Sequence, residues 1–194
     1  MKKALIVWGG WHGHEPEQGS QIVRDILQNN GFEVRVETQT AAFVDPALAQ
    51  LDLIVPIYTM SKIEKEECAN LTAAVRSGVG LAGFHGGMCD SFRDSVEYQF
   101  MTGGQWVAHP GNDGRHYRVA IVDANPITEG ITDFDVISEK YYLHVDPAMR
   151  VKVIGFRQHG TRPHDPPLQE PTPESLAAAA EILRSVADLQ VTVI

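Results

Sequence analysis

Apolar residues along this chain fall into short runs separated by stretches with helical spacing. Lys3 to Trp8 reads as a first strand, and Phe32 to Glu37 alternates apolar and polar positions as a second. Leu53 to Tyr58 and Val79 to Phe84 are continuous apolar runs, the pattern of strands buried on both faces. Between them, Pro16 to about Asn29 has helical periodicity, with Ile22, Val23, Ile26 and Leu27 on one face and Asn30-Gly31 as the stop. Ser61-Lys62-Ile63-Glu64 matches a capping box, and Cys68, Leu71 and Val75 continue the helix to Gly78. Strand and helix in alternation predict an α/β fold, a mainly parallel sheet with helices on both faces.

The pattern loosens after Gly87. Ser91 to Met101 has helical character, and residues 102–110 form a loop rich in glycine and aromatics. Tyr117 to Val122, Phe134 to Ser138 and Val151 to Phe156 read as strands, with a turn over Asp123 to Thr128. Arg157 to Pro171 is Pro-rich and irregular. A helix then opens with Thr172 as cap and Pro173 at its first position, carrying Leu176, Ala179, Leu183 and Val186 on its apolar face. Leu189 to Ile194 is a last short strand or a frayed end. No repeat and no domain boundary is visible, so residues 1–194 are expected to form one domain.

The chemistry gathers at strand ends. The Val79 run stops at His85-Gly86-Gly87, a strand, sharp turn and helix laid out like a nucleophile elbow, with histidine where a nucleophile would stand. Ligands of open α/β sheets bind beyond the carboxyl ends of the strands, which places His85 at that crevice. Trp11-His12-Gly13-His14-Glu15 follows the first strand and offers two imidazoles and a carboxylate for acid–base work or metal ligation. A plain turn leading into a helix explains the same residues. Gly103-Gly104-Gln105-Trp106 leads to His109-Pro110, with Trp106 as a stacking face or as the centre of an ordinary buried loop. Glu139, before Tyr141-Tyr142, is a base, a metal ligand or part of an edge strand.

Composition narrows the field. With 43% hydrophobic and 21% charged residues the chain is a globular protein, and 16 Lys+Arg against 25 Asp+Glu leave a net charge of −9. That balance, without a basic cluster, excludes nucleic acid and anionic membrane as natural partners. No apolar run nears the roughly 20 residues that span a bilayer. Two cysteines, Cys68 and Cys89, make no disulfide framework, so a reducing, cytoplasmic setting is expected. The turn after the first strand has no Gly-x-Gly-x-x-Gly, and neither Gly-Lys-Ser/Thr nor Gly-x-Ser-x-Gly occurs in the chain, which argues against a nucleotide cofactor and a serine hydrolase. Cys89, four residues past the elbow, falls inside the following helix and reads as a small buried hydrophobe.

Taken in order, five motifs resemble the trehalose-utilisation (ThuA-like) family. They are Gly10-Trp11-His12-Gly13-His14, Gly80-Leu81-Ala82-Gly83-Phe84-His85-Gly86-Gly87, Gly103-Gly104-Gln105-Trp106-Val107-Ala108-His109-Pro110, Asn125-Pro126-Ile127-Thr128 with Gly130-Ile131, and Glu139-Lys140-Tyr141-Tyr142. The resemblance runs over about residues 3–142, while 150–194 departs from the family's pattern. It implies a class I glutamine-amidotransferase-like, flavodoxin-like doubly wound fold without glutaminase chemistry, because the elbow cysteine is replaced by His85. It also implies a role in the use of trehalose or related disaccharides.

These readings give a working assignment. His85, Glu15, His109 and Glu139 are the catalytic candidates, and His12, Trp11, Gly86, Gly104, Trp106 and Tyr142 the substrate-binding ones. His14, His85 and His109 are the metal candidates, for a divalent ion with zinc the best fit. The leading expectation is a sugar-metabolism enzyme, hydrolase-like or acid–base, acting on a small sugar and associating as a homodimer. The alternatives are a carbohydrate-binding or interaction module without catalysis, and a hydrolase or amidotransferase using Cys89.

Overall fold

A computed structural model describes residues 1–121, 129–146 and 156–157. Four parallel strands in the order β2-β1-β3-β4 organise its first part: β1 (Lys2–Gly10), β2 (Phe32–Glu37), β3 (Leu53–Thr59) and β4 (Gly80–Leu81). The period of two along β1 sorts its core residues between two faces. Leu5 and Val7 join Ile54 and helix α2 (Lys65–Arg76) through Cys68 and Leu71. Ile6 joins Val55 and Ile57 on the other face, covered by Val23 and Leu27 of helix α1 (Pro16–Asn29). A sheet buried on both faces explains why β1 and β3 read as unbroken apolar runs. Burying a side chain of this size contributes about 1.5–3 kcal/mol.

Several expected features are shifted, each for a local reason. On α1 only Val23 and Leu27 of the four expected residues pack on the sheet; Ile22 and Ile26 are 61% and 56% exposed. Positions one residue apart on a helix diverge by about 100°, so both pairs cannot face a flat sheet. The capping box of α2 is built from Glu64 and Glu67 rather than Ser61 and Glu64, with the Glu64 N–H donating to Glu67 Oε2 at 2.9 Å. Met60 and Ser61 donate their backbone N–H groups to the carbonyls of Asp90 and Ser91, both at 2.8 Å, so the chain there is committed before the helix begins. Two 3-10 turns, Thr40–Val44 and Pro46–Gln50, have no counterpart in the sequence reading, yet they bury Phe43 and Leu48.

The Val79 run gives a strand of only two residues. Ala82 N–H donates to the Ile54 carbonyl at 3.1 Å, and the next bond of the ladder would need an N–H from residue 56. That residue is Pro56, which has none, and the chain leaves the sheet toward the elbow. After it come the short helix α3 (Gly86–Cys89), helix α4 (Val96–Thr102) and strand β5 (Gly104–Ala108), the last lying where a loop was expected.

The chain divides into two compact units, Met1–Trp106 and a second from Val107 onward. Among the described residues of the second unit, β6 (Arg115–Val119) pairs antiparallel with β7 (Phe134–Ser138) and with β9 (Phe156–Arg157), and β8 is Tyr142–Val145. The expected turn over 123–128, most of the strand at 151–156, the segment 158–171 and the helix opened by Thr172 lie outside the described residues.

Candidate functional site

The order 2-1-3-4 reverses direction between β1 and β3, the topological switch point at which doubly wound folds bind ligands. Gly10 ends β1 at φ 78°, and a Cβ there would stand 2.0 Å from the Thr59 carbonyl oxygen. Only glycine permits this approach, which is fixed by the Trp11 N–H donating to that carbonyl at 3.0 Å. The turn His12–His14 then brings one imidazole back over β3. His14 Nδ1 and Thr59 Oγ1 lie 3.0 Å apart in a hydrogen bond whose donor is set by the imidazole tautomer. Thr59 is buried, and sequence reasoning passed over it. Its place at the carboxyl end of β3 is the signal that could have found it.

His85 stands at the corresponding end of the β4 run with φ 55° and ψ −149°, a backbone conformation that side-chain-bearing residues rarely adopt. Its carbonyl accepts from the Cys89 N–H at 3.0 Å, so α3 starts at the histidine and the turn is the expected strand-to-helix elbow. The rings of His14 and His85 meet at 4.6 Å between centroids, inclined 70°, and Trp11 meets His14 edge-on at 4.7 Å. A Cβ on Gly86 would fall 2.7 Å from His14 Cε1 and 2.9 Å from Thr59 Cγ2. The small residue after the elbow is what admits the imidazole. Glu15 (φ 47°) and Met60 (φ 49°) are also left-handed, so the turns that follow β1, β3 and the β4 run each carry a strained non-glycine residue.

Trp11, His14, His85 and Gly86 therefore form one constellation with Thr59. His12 and Glu15 are exposed on the same turn, and among the described residues neither side chain hydrogen-bonds or stacks within it. Cys89 is buried, and burial first, then the neighbouring Asp90 charge, pushes its thiol up to about 12. A thiol held protonated at neutral pH makes a poor nucleophile, which weighs against the Cys89 alternative. Asp90 instead holds Arg93, whose Nη2 donates to Oδ2 at 2.8 Å and whose guanidinium lies 4.6 Å over the Trp106 ring. Gly104 is buried at the start of β5, where it precedes Trp106.

The second unit holds the other candidates. His109 Nδ1 approaches Glu139 Oε1 to 3.5 Å, and its ring stacks on Tyr141 at 4.8 Å with 26° between planes. The Tyr117 hydroxyl donates to the Glu139 carbonyl at 2.7 Å, anchoring the backbone that carries the carboxylate. Burial, and then the Glu139 charge, raises the Tyr117 phenol, and burial lowers the Lys140 ammonium. Tyr142 is half exposed and meets His144 edge-on at 5.8 Å. Tyr117 was read only as a strand residue and Tyr141 only as part of the Glu139-Lys140-Tyr141-Tyr142 motif, so neither had been given a role in a site.

Of the three expected metal ligands, His14 and His85 are adjacent in the first unit, and His109 belongs to the second. Two neighbouring imidazoles supply two of the four positions of a tetrahedral zinc, or a pair of hydrogen-bond donors and acceptors. Among the described residues, no helix is long and apolar enough to cross a membrane.

Comparison with curated proteins finds no match. Among solved structures, the chain is similar to a ThuA-like protein from Bacteroides uniformis ATCC 8492, with 18% identity and a TM-score of 0.59 over 82% of this chain and 74% of that one. It is also similar to a ThuA-like protein from Parabacteroides merdae ATCC 43184, with 16% identity and a TM-score of 0.61 over 77% of this chain and 66% of that one. Both likenesses establish the fold. The model of the ThuA family, described as trehalose utilisation, matches residues 3–173, and this chain belongs to that family.

Proposed function

We propose that this ThuA-family chain is an enzyme of sugar metabolism that acts on trehalose or a related disaccharide, with His85 as its acid–base group and His14 beside it. The observation that carries the reading is the backbone of His85, held at φ 55° and ψ −149° on a strand-to-helix turn with a second imidazole 4.6 Å away. Strain of this kind costs about 1–3 kcal/mol and persists where the surrounding structure imposes it, above all at functional sites. A neutral imidazole has one donor and one acceptor nitrogen, so the pair can take a proton from one sugar hydroxyl and return it elsewhere. His109 and Glu139 form an acid–base pair of their own in the second unit. A divalent ion such as zinc suits His14 and His85 as ligands and would polarise a sugar oxygen.

The test uses the full chain, purified without a histidine tag. Its metal content is measured by elemental mass spectrometry, and trehalose is offered with and without added zinc. Turnover by the wild type that disappears in His85→Ala, at an unchanged melting temperature, supports the reading. Turnover that survives in His85→Ala removes the histidine from the site. One ion per chain, lost in His14→Ala, supports the metal; a metal-free chain that turns over trehalose removes it.

A second reading has its own observation. The elbow presents imidazole where covalent catalysis would place a thiol or hydroxyl, as in a carbohydrate-binding module that kept the fold without the chemistry. Saturable sugar binding without product would favour it.

A further inference from the structure

Both tryptophans expected to bind substrate lie in the first unit, and the structure distinguishes them. Trp106 has one face covered by the Arg93 guanidinium at 4.6 Å. Trp11 is 49% exposed yet fixed in place. Its indole lies so close over the turn that a Cβ on Gly13 would meet ring carbons at 2.4–2.6 Å, and His14 holds it from the side at 4.7 Å. An exposed indole held between a glycine and an imidazole, one contact away from His85, is an apolar platform at the edge of the constellation. Phe84 and Met60, beside the elbow and beside Thr59 in sequence, are 49% and 44% exposed and continue this apolar character at the ends of the neighbouring strands.

Charge is the second observation. The strand-end segments 9–15, 59–61 and 82–87 contain no lysine or arginine. Arg93, the nearest arginine in sequence to the elbow, is tied to Asp90 and to the Trp106 ring. The helix after the elbow has four residues, too few to gather a helix dipole, and the whole chain carries a net charge of −9. A phosphate brought to the metal-free chain here would meet no lysine or arginine from these segments and a repulsive overall field.

Resting on the sugar reading above, we propose that this site takes the C–H face of a neutral pyranose stacked on Trp11 and rejects phosphorylated sugars. The polarised C–H groups of a pyranose face match the negative face of the indole, and the ring hydroxyls at its rim fall to His14 and His85.

Calorimetric and intrinsic-fluorescence titrations of the full chain with trehalose and with trehalose 6-phosphate test this. Trehalose should bind at least about tenfold more tightly than its 6-phosphate, and Trp11→Ala should weaken trehalose by about tenfold, the worth of one aromatic stack. Trp11→Phe, which keeps a ring face, should retain most of the affinity, with melting temperatures near wild type for both variants. Unchanged trehalose binding in Trp11→Ala, or equal affinity for the 6-phosphate, overturns the proposal. The site reading then still stands if His85→Ala loses binding or turnover. A wild-type chain that binds neither probe overturns both.

Discussion

The backbone of His85 can be tested apart from its chemistry. At φ 55° a side chain is strained at the cost of about 1–3 kcal/mol, while glycine adopts the conformation freely. Glycine in turn loses more freedom on folding, by roughly 0.5–1 kcal/mol relative to alanine. His85→Ala removes the imidazole and keeps the strain; His85→Gly removes both. The difference between the two variants isolates the backbone and leaves glycine ahead by about 1 kcal/mol. For a chain of 194 residues that corresponds to a melting temperature higher by about 2–4 °C. Urea unfolding followed by circular dichroism measures it. At an ordinary strand or helix position the order is reversed, with alanine the more stable. An alanine variant as stable as the glycine one, or more so, would show that the turn is relaxed and that strain says nothing about the role of His85.

Three further outcomes are expected. Gly10→Ala combines left-handed backbone (φ 78°) with a clash at 2.0 Å and should cost about 3 kcal/mol in urea unfolding; Gly31→Ala, at φ 82° in open space, should cost about 1–2 kcal/mol. Thr59→Val keeps the shape but deletes the hydrogen bond to His14, lowering stability by about 1 kcal/mol and moving the His14 ring signals in a proton NMR titration. Cys89 should resist iodoacetamide at pH 8 in the folded chain and react once unfolded. Its thiol goes from an ordinary value of 9 up to about 12 on folding, so the folded chain keeps a proton that the unfolded chain releases. The stability it contributes is whole below pH 9 and is lost as pH rises toward about 12, and Cys89→Ala should flatten that decline.

The first half of the fold was legible because each element there answers to one periodicity. β2 and α1 run over the expected residues, and β1 and β3 extend slightly past theirs. What escaped were effects that act between elements. Pro56 lies in one strand and ends the pairing of another, which no window over Val79 to Phe84 contains. The capping box moved by three residues because backbone bonds to Asp90 and Ser91 hold Met60 and Ser61, residues about 30 positions distant. Phe43 and Leu48 are buried through 3-10 turns too short to show a period. The exposed Ile22 and Ile26 show the converse: apolar spacing marks a face broader than the stripe that the sheet covers.

The site was legible for a different reason. Glycines at strand ends are expensive to keep unless something must come close, and here that something can be named: the Thr59 carbonyl for Gly10, His14 for Gly86 and the Trp11 ring for Gly13. The glycines therefore record, in sequence, contacts between segments more than 40 residues apart in two of the three cases. What they do not record is the polar partner that completes the arrangement. Thr59 looks like any strand threonine until the fold sets it 3.0 Å from His14. Histidine at the elbow is legible as a departure from the nucleophile pattern, but its strain is not, because φ belongs to the fold and not to the residue. The architecture that would expose a nucleophile thus survives intact around an imidazole. On the proposed sugar reading, catalysis and mere binding are told apart at His85, because every other member of the constellation suits both.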